Sequence, residues 1–171
     1  MTKVKIAFQG EKGAYSHIAS EELFKGAEIK NCATFEETFK TAFEEENYKI
    51  IIPLENSLAG RVADIHYLLP KYKLQIYGEH FQSVEHSLLA KQEAKLEDIK
   101  YVRSHVQAIG QCQTMIKKNK FKTIISADTA GSAKELAEGN DKSIAAIASE
   151  LSGKIYNLKI LKKNIEDEKG N

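Results

Sequence analysis

The sequence predicts an α/β protein with mostly parallel sheets. Strand-like and helix-like segments alternate along the whole of its 171 residues, which is typical of parallel-sheet proteins. Small polar residues and glycines gather where predicted strands give way to helices. No Pro-rich linker, internal repeat or low-complexity tract interrupts the alternation. These three observations fix the class before any motif is considered.

The first half of the chain predicts three strand–helix pairs. The segment "KVKIAF" is a short strand, and a glycine-containing loop leads through Ser16 into a helix that ends near Phe24. "EIKNCA" is the second strand, and Thr34 followed by Glu37 predicts a capping box at the start of the second helix. "YKIIIPLE" is the third strand, and "GRVADIHYLLPKY" is the third helix. The apolar residues of the last two helices recur at helical spacing and mark their buried faces: Phe35, Phe39, Phe43, Val62, Ile65, Leu68 and Leu69.

The second half continues the pattern. "LQIYGEHFQSVEHSLLA", residues 74–90, predicts a long β-rich stretch that crosses between two lobes, and "LEDI" is a helical turn. "KYVRS" is a strand, and "VQAIGQCQTMIKKN" is a helix that buries Ile109, Cys112 and Ile116. "FKTIISA" is a strand, followed by a helix from Thr129. "SIAAIAS" is strand-like, "ELSGKIY" is helical, and "LKILKKNIED" is a final strand.

Composition excludes several classes of protein. The net charge is +1, and Arg61 and Arg103 are the two arginines among 25 basic residues, so the charge pattern is not that of a nucleic-acid binder. The opening residues lack the apolar run of a secretory signal, and no run reaches the ~20 residues of a membrane span. Cys32 and Cys112 fit no metal or redox spacing. We expect a cytoplasmic protein with two buried thiols and no nucleic-acid or membrane partner.

Four strand-to-helix junctions share one composition. They are "QGEKGAYSHIA" (9–19), "PLENSLAGRV" (53–62), "SHVQAIGQC" (104–112) and "SADTAGSA" (126–133). Ligands of α/β sheets lie beyond the carboxyl ends of strands, and helix N-termini bind anions there. Ser and Thr are also ordinary helix caps, so plain capping stays open for each junction. Together the four junctions predict a site for an anion rich in oxygen.

Several common site motifs are absent. The chain has no G-x-G-x-x-G, no P-loop lysine and no G-x-S-x-G. No pair of its histidines has the spacing of metal ligands backed by a carboxylate, and we expect His66 and His80 to face solvent. The sequence therefore predicts no metal site.

The motifs do resemble one known family. "AFQGEKGAYSHIA", "IIPLENSLAGRV", "VRSHVQAIGQC", "DTAGSA" and "AAIAS…IYNLKIL…NIEDEKGN" occur in the order found in the catalytic domain of prephenate dehydratase. The resemblance covers nearly all of residues 1–171. It implies a two-lobed, periplasmic-binding-protein-like (type II) fold with an inter-lobe cleft. We expect lobe 1 to hold about 1–78 plus about 158–171, and lobe 2 to hold about 79–157.

The resemblance also implies a set of site residues. The catalytic candidates are Asn56, Ser104 and Gln111. The asparagine comes from the E-N-S motif, and the other two come from the S-H-x-Q-A-x-x-Q-C motif. The candidates for substrate binding are the remaining polar or junction residues: Ser16, Glu55, Ser57, Arg61, His105, Gln107, Thr129 and Ala130.

The activity that the resemblance implies is conversion of prephenate to phenylpyruvate in phenylalanine synthesis, with loss of water and carbon dioxide. No cofactor is expected, because the leaving groups depart by the substrate's own electron flow. The full-length protein is expected to be a homodimer or homotetramer. Arogenate dehydratase, which uses the same motifs on an aminated substrate, and a non-catalytic module that binds a small anion are the alternatives.

Two departures from the family are visible. Val106 stands where the family usually has Pro. The family also continues with a Thr-Arg-Phe motif, held to carry a catalytic Thr, and then commonly a regulatory ACT domain. The 171 residues stop before that motif. We therefore expect a chain ending at Asn171 to fold, to keep its anion-binding helix N-termini, and to be nearly inactive.

The residue types suit this chemistry. A neutral amide such as that of Asn56 supports a leaving oxygen without stabilising the carboxylate that must depart. Glu55 is expected to orient Asn56 or to cap backbone N–H groups, with a direct acid role as the alternative. Arg61 and Arg103 are suited to gripping a carboxylate, but a salt bridge is the more ordinary role for each. Cys112 is expected in the core.

Overall fold

The structure is a computed structural model and describes residues 4–168. Strands and helices alternate along it, as the sequence predicts. The strands are β1 (Lys5–Gln9), β2 (Glu28–Cys32), β3 (Tyr48–Ile51), β4 (Glu55–Asn56), β5 (Gly60–Arg61), β6 (Ser87–Ala90), β7 (Tyr101–Ser104), β8 (Lys122–Ile125), β9 (Ile144–Ala148) and β10 (Lys159–Lys162). The helices are α1 (Tyr15–Leu23), α2 (Phe35–Glu44), α3 (Ala63–Tyr72), α4 (Val106–Gln111), α5 (Gln113–Lys118), α6 (Thr129–Glu138) and α7 (Glu150–Ile155).

The chain divides into two compact units. The first contains residues 4–11 together with Tyr15–Gln82, and the second contains Lys12–Ala14 together with residues 83–168. The predicted α/β class and the predominance of parallel strand pairing are confirmed.

The first unit is built on a parallel sheet with the strand order β2-β1-β3. Thr34 caps α2 by accepting a hydrogen bond from the Glu37 amide at 3.1 Å, as predicted. The Glu37 carboxylate accepts from the Ala33 amide, one residue before the cap. Helix α2 then packs Phe39 against Ile65 and Leu68 of α3, and all three side chains are buried.

The second unit contains a five-stranded sheet with the order β10-β6-β9-β7-β8. Strands β9, β7 and β8 are parallel, whereas β6 is antiparallel to both of its neighbours. Apolar side chains cover this sheet in two buried clusters, one of which includes Leu88, Val102 and Cys112. The burial expected for Ile109, Cys112 and Ile116 is confirmed.

The predicted division of the lobes is wrong at the chain's C-terminal end. We expected residues 158–171 in lobe 1, but β10 pairs with β6 and completes the second sheet. The pairing brings Ile160 beside Leu89, so the apolar face of β10 is covered by the second unit's core. The boundary between the units lies between residues 82 and 83 rather than between residues 78 and 79.

Three smaller expectations also differ from the structure. Residues 74–86 form no strand; Tyr77 and Phe81 are 82% and 89% exposed, so no sheet neighbour covers their β-forming side chains. The helix expected over 106–119 is two helices that meet at Cys112, whose φ is −120°. Phe43 does not join the buried face of α2, because it lies 61% exposed beside the ring of Tyr72.

Candidate active site

Three strand-to-helix junctions of the second unit lie at one edge of its sheet. Because β9, β7 and β8 are parallel neighbours, their carboxyl ends share that edge, where α/β proteins bind ligands. Strand β7 leads into α4, β8 into α6 and β9 into α7. The topology thus brings Ser104, His105 and Thr129 to the same edge.

The first unit repeats this arrangement. Strands β1 and β3 are parallel neighbours, and the segments that follow them carry Ser16 and the Glu55–Ser57 motif. Ser16 lies inside the first turn of α1 rather than ahead of it, because α1 begins at Tyr15. Its carbonyl accepts a 2.7 Å hydrogen bond from the Ser20 hydroxyl.

The E-N-S motif forms a tight hairpin, not the strand-to-helix turn that we expected. Strands β4 and β5 pair antiparallel, with Asn56 opposite Gly60. Asn56 Oδ1 accepts from the amides of Leu58 and Ala59 at 3.0 and 2.8 Å. This is the local bonding by which Asn stabilises turns. With its oxygen held inside the turn, the side chain has its Nδ2 donors left for another partner.

Glu55 and Arg61 are opposite each other in the same hairpin. Both side chains are exposed, as is Ser57. A cross-strand Glu–Arg pair stabilises a hairpin by electrostatic attraction. The hairpin therefore presents one cation and one anion beside the Asn56 amide, and Arg61 is the hairpin's candidate for binding a carboxylate.

Ser104 is placed differently from a catalytic hydroxyl. It is fully buried, and its Oγ donates a 2.6 Å hydrogen bond to the carbonyl of Ile147 on the adjacent strand β9. That bond uses the only proton of the hydroxyl. Ser104 ties two strands together at the site's edge, which makes it a structural residue and not a free proton donor.

Gln111 is held on both its side chain and its backbone. Its Oε1 lies 3.0 Å from His86 Nε2, and its carbonyl accepts from the Asp167 amide at 2.6 Å. The Asp167 carboxylate in turn accepts from the Thr114 amide in the first turn of α5. The end of α4 and the start of α5 are thus fixed by a segment that lies more than fifty residues later in the chain.

The N-terminus of α6 is already occupied by a carboxylate. Asp128 caps this helix, and its Oδ1 accepts from the Gly131 amide at 2.6 Å. A carboxylate at the positive end of the helix opposes a second anion there, so this contact weakens the expectation of an anion site at Thr129, which stays a prediction. Thr129 is half-buried, and Ala130 is fully buried, so Thr129 is the more accessible of the two predicted binding residues.

His105 and Gln107 open α4. The His105 ring caps the helix through Nδ1, which accepts from the Gln107 amide at 3.3 Å. The ring is half-buried, whereas the Gln107 side chain is exposed. His105 therefore has its other ring nitrogen available, and Gln107 has its whole side-chain amide.

Two residues take the ordinary role that the sequence favoured. Arg103 Nη1 donates to the Glu135 carboxylate at 2.7 Å, so it forms a salt bridge within the second unit. Cys112 is fully buried, and burial, followed by the nearby carboxylates of Asp167 and Glu166, raises the pKa of its thiol to about 12. A thiol with that pKa stays protonated and unreactive at neutral pH, so Cys112 is a core residue.

Sequence reasoning missed three groups that shape this edge. Asp128 follows the N-cap pattern and was detectable, since it directly precedes Thr129. Ser149 directly follows β9, caps α7 and donates to the Gly13 carbonyl at 2.6 Å; the pattern S-x-x-S after an apolar strand was its signal. His86 is 2% exposed, and no local pattern announces its contact with Gln111, because the two residues meet only through the fold.

A separate groove lies between α2 and α3 in the first unit. It has a cavity volume of about 370 Å³ and contains none of the predicted site residues; its lining is Thr34, Phe35, Glu36, Ala63, Asp64, Tyr67 and Leu68. Within residues 4–168, no cluster of three or more His, Cys, Asp and Glu side chains is arranged to hold a metal ion. No helix in that range has both the length and the apolar character needed to cross a membrane.

Comparison with known proteins gives one family. The model of the prephenate dehydratase family matches residues 6–171. A relative from Komagataeibacter europaeus, a bifunctional N-acyl-homoserine lactone acylase/prephenate dehydratase, is 40% identical, and the match covers 95% of this chain and 58% of that protein. The arogenate dehydratase/prephenate dehydratase 2 of Arabidopsis thaliana is 37% identical, with 98% of this chain and 44% of that protein covered.

A solved structure supports the fold independently. The prephenate dehydratase of Arthrobacter aurescens, determined in complex with L-Phe, superposes with a TM-score of 0.89 at 24% identity, covering 98% of this chain and 57% of that one. The chain spans about half the length of the curated relatives that it matches.

Proposed function

The chain belongs to the prephenate dehydratase family, and from that membership we propose that it carries the catalytic machinery that converts prephenate to phenylpyruvate. The observation that supports this most strongly is the family match over residues 6–171. The reaction removes one carboxylate as carbon dioxide. The electron pair of the broken carbon–carbon bond moves into the ring, and the ring hydroxyl leaves with a proton as water.

The proposed site uses neutral donors. Asn56 has its oxygen held by two turn amides, so its Nδ2 is oriented for a substrate oxygen. Within the second unit, the Gln111 amide, whose Oε1 lies 3.0 Å from His86 Nε2, and the second ring nitrogen of His105 are neutral groups of the same kind. Preorganised donors of this kind lower a barrier because they need not reorient as charge develops.

Of the two arginines, only Arg61 is proposed to bind the substrate. Arg61 is exposed in the hairpin and is our candidate for anchoring the carboxylate that the product retains. Arg103 is excluded from that role by its salt bridge with Glu135. A cation held at the departing carboxylate would stabilise the ground state and slow the reaction, so the neutral composition of the remaining junctions favours decarboxylation.

Ser104 is removed from the proposed donors, because its proton is engaged with Ile147. The hydroxyls that remain among the candidates are those of Ser16, Ser57 and Thr129. The family's Thr-Arg-Phe motif would follow the segment in which Asp167 bonds to the Gln111 carbonyl.

A second candidate is dehydration of arogenate, the aminated substrate. The Arabidopsis relative is named for both activities, and a Petunia hybrida relative at 35% identity is an arogenate dehydratase. The two substrates share the ring and the departing carboxylate and differ at the carbon that carries the keto or amino group. Both belong to one reaction class, so comparison of the two as substrates distinguishes them.

Location and assembly stay predictions. The two cysteines are buried and free, which fits the expected cytoplasmic location. A homodimer or homotetramer is expected of the full-length protein through the family alone.

The test is turnover itself. Phenylpyruvate formation is measured for the 171-residue chain and for a version extended through the family's Thr-Arg-Phe motif, with prephenate and arogenate in parallel. We expect turnover in the extended form and nearly none in the short one. A folded extended protein that converts neither substrate contradicts the proposed function. Full activity in the short chain would place the proton donor among the residues already present.

A further inference from the structure

His86 lies at a junction of three chain segments. Its backbone amide donates to Glu166 Oε2 at 2.9 Å, and its carbonyl accepts from the Ile165 amide at 3.0 Å. Its ring nitrogen Nε2 faces Gln111 Oε1 at 3.0 Å. The residue is 2% exposed, so the ring has little freedom to turn away from Gln111.

The ring is held in its neutral form. Burial lowers the pKa of His86, and this effect outweighs the opposing influences of Gln111 and of Glu166. A neutral imidazole carries one N–H and one bare nitrogen. If Nε2 bears the proton, the ring donates a hydrogen bond to Gln111; if Nδ1 bears it, Nε2 can only accept one from Gln111.

The side-chain amide of Gln111 can face His86 in either of two orientations. An amide that accepts through its oxygen leaves its two N–H donors on the other side, and the reverse orientation leaves a bare oxygen. Within residues 4–168, the Gln111 Nε2 has no hydrogen-bond partner, whereas Oε1 has His86. The backbone of Gln111 is fixed as well, through its carbonyl and Asp167.

We propose that His86 is a positioning residue that donates its Nε2–H to Gln111 Oε1 and thereby sets the Gln111 amide as a donor toward an oxygen of the substrate. The inference rests on the proposed function for its catalytic consequence, but the contact itself does not depend on turnover. The substrate group that this orientation fits is a carboxylate or a hydroxyl oxygen. An amide with free rotation would present its oxygen part of the time; that oxygen repels a carboxylate, and it accepts a hydrogen bond from a hydroxyl instead of donating one to the hydroxyl oxygen.

The contact is tested first without any activity measurement. Long-range proton–nitrogen correlation spectra of the ¹⁵N-labelled imidazoles, recorded at neutral pH, distinguish the two neutral tautomers, and the His86→Gln variant identifies the His86 signals by their loss. We expect the neutral ring with the proton on Nε2. A proton on Nδ1, or a doubly protonated ring, overturns the proposal.

A second measurement uses Gln111→Glu. A carboxylate in place of the amide favours the charged imidazole, so we expect the His86 signals to move toward the doubly protonated form at the same pH. The signals of exposed His66 serve as the internal reference and should not move. An unchanged His86 spectrum means that the two side chains do not meet in solution, and it contradicts the proposal.

The kinetic test uses whichever form of the chain turns over substrate. His86→Leu is expected to lower kcat by about 10- to 10²-fold, the effect of a misplaced catalytic group, with KM changed less than about threefold. His86→Gln, which can still donate to Gln111, is expected to recover most of that loss. The His86→Leu/Gln111→Ala double variant should be no slower than Gln111→Ala.

The outcomes separate the two proposals. Folded His86→Leu with unchanged kcat, or losses that multiply in the double variant, overturns the positioning role. If His86→Leu does not fold, the tautomer and the Gln111→Glu spectra still decide the contact. If no form of the chain turns over prephenate or arogenate, the proposed function fails, and the spectra still show whether His86 orients Gln111.

Discussion

At the scale of single residues, Asn56 has two roles: its oxygen holds the turn, and its Nδ2 is proposed to donate to the substrate. Two different substitutions separate these roles. Alanine removes both the acceptor that holds the Leu58 and Ala59 amides and the Nδ2 donors. Asp keeps an acceptor for the turn and removes the donors. We expect both variants to lose at least about 10²-fold in kcat/KM on prephenate, as loss of one preorganised donor does.

Stability provides the contrast between these two variants. Asn56→Ala should also lose about 1 kcal/mol of unfolding free energy, because two turn amides lose their partner, whereas Asn56→Asp should stay close to the parent protein. Near-normal turnover in folded Asn56→Asp would mean that Asn56 acts only through the turn.

Cys112 is predicted to be inert in the folded protein. Its thiol is fully buried with a pKa raised to about 12, and Cys32 is 1% exposed. The thiolate is the reactive form, so neither cysteine should react with a disulfide reagent at pH 8 over minutes. Two thiols per chain should react once guanidinium unfolds the protein. Rapid labelling of one thiol under native conditions, assigned with a Cys32→Ala variant, would contradict this burial.

Residue types were easier to predict than residue roles. Amides and hydroxyls at strand ends were visible in the sequence, and so was the arrangement that caps α2. The engagement of Ser104 with Ile147 was not visible, because it depends on a strand pairing made between residues 43 positions apart. For the same reason His86, which meets Gln111 across the fold, gave no signal.

At the scale of elements, the turn before α1 depends on Gly13. Its φ is +96°, and a β-carbon there would lie 2.3 Å from Ser152 Oγ and 2.8 Å from Ser152 Cα. The Gly13 carbonyl also accepts from the Ser149 and Ser152 hydroxyls. Gly13→Ala therefore adds a left-handed strain of about 1–2 kcal/mol to a packing clash of about 1–3 kcal/mol.

Gly26 is the matched control for this substitution. It has a φ of +76° with no atom within 4 Å of a built β-carbon, so Gly26→Ala should show the strain alone. In urea unfolding, the unfolding free energy of Gly13→Ala should be at least about 1 kcal/mol lower than that of Gly26→Ala, because the clash adds to the strain. Equal losses for the two variants would show that the second unit relaxes around the added methyl group without cost.

Elements with a paired strand or a buried helix face were predictable from the sequence, and segments without them were not. Apolar periodicity located α2 and α3, whose facing residues are buried. Residues 74–86 contain β-forming residues but pair with no strand, so propensity alone misled there. The E-N-S segment was placed at the right strand end, but its hairpin could not be read, since strands of two residues carry no period.

At the scale of the molecule, the buried ring of His86 makes stability depend on pH. Its pKa is lowered in the folded protein, chiefly by burial, so below the ordinary histidine pKa of about 6.5 the unfolded chain binds the proton more readily. The unfolding free energy should therefore fall as pH drops from about 6.5 toward the lower pKa of the folded state. The dependence of the unfolding free energy on pH should be weaker in His86→Gln, because glutamine does not bind a proton in this pH range.

Urea unfolding at a series of pH values measures both slopes. His66→Gln, at an exposed position, is the control and should keep the dependence of the parent protein. Identical slopes in the parent and His86→Gln would mean that the ring is as easily protonated folded as unfolded.

The order of strands in the second sheet has a consequence for the newborn chain. Strand β6 is made first, yet its two neighbours are β9 and β10, which begin at Ile144 and Lys159. At about 5–20 residues per second, the ribosome needs seconds to reach them. During that time the apolar "SLLA" strand has neither of its native partners, while the first sheet, complete by Ile51, can already form. An unpaired apolar strand can pair with strands of other chains. The nascent protein is therefore most prone to aggregate during this interval.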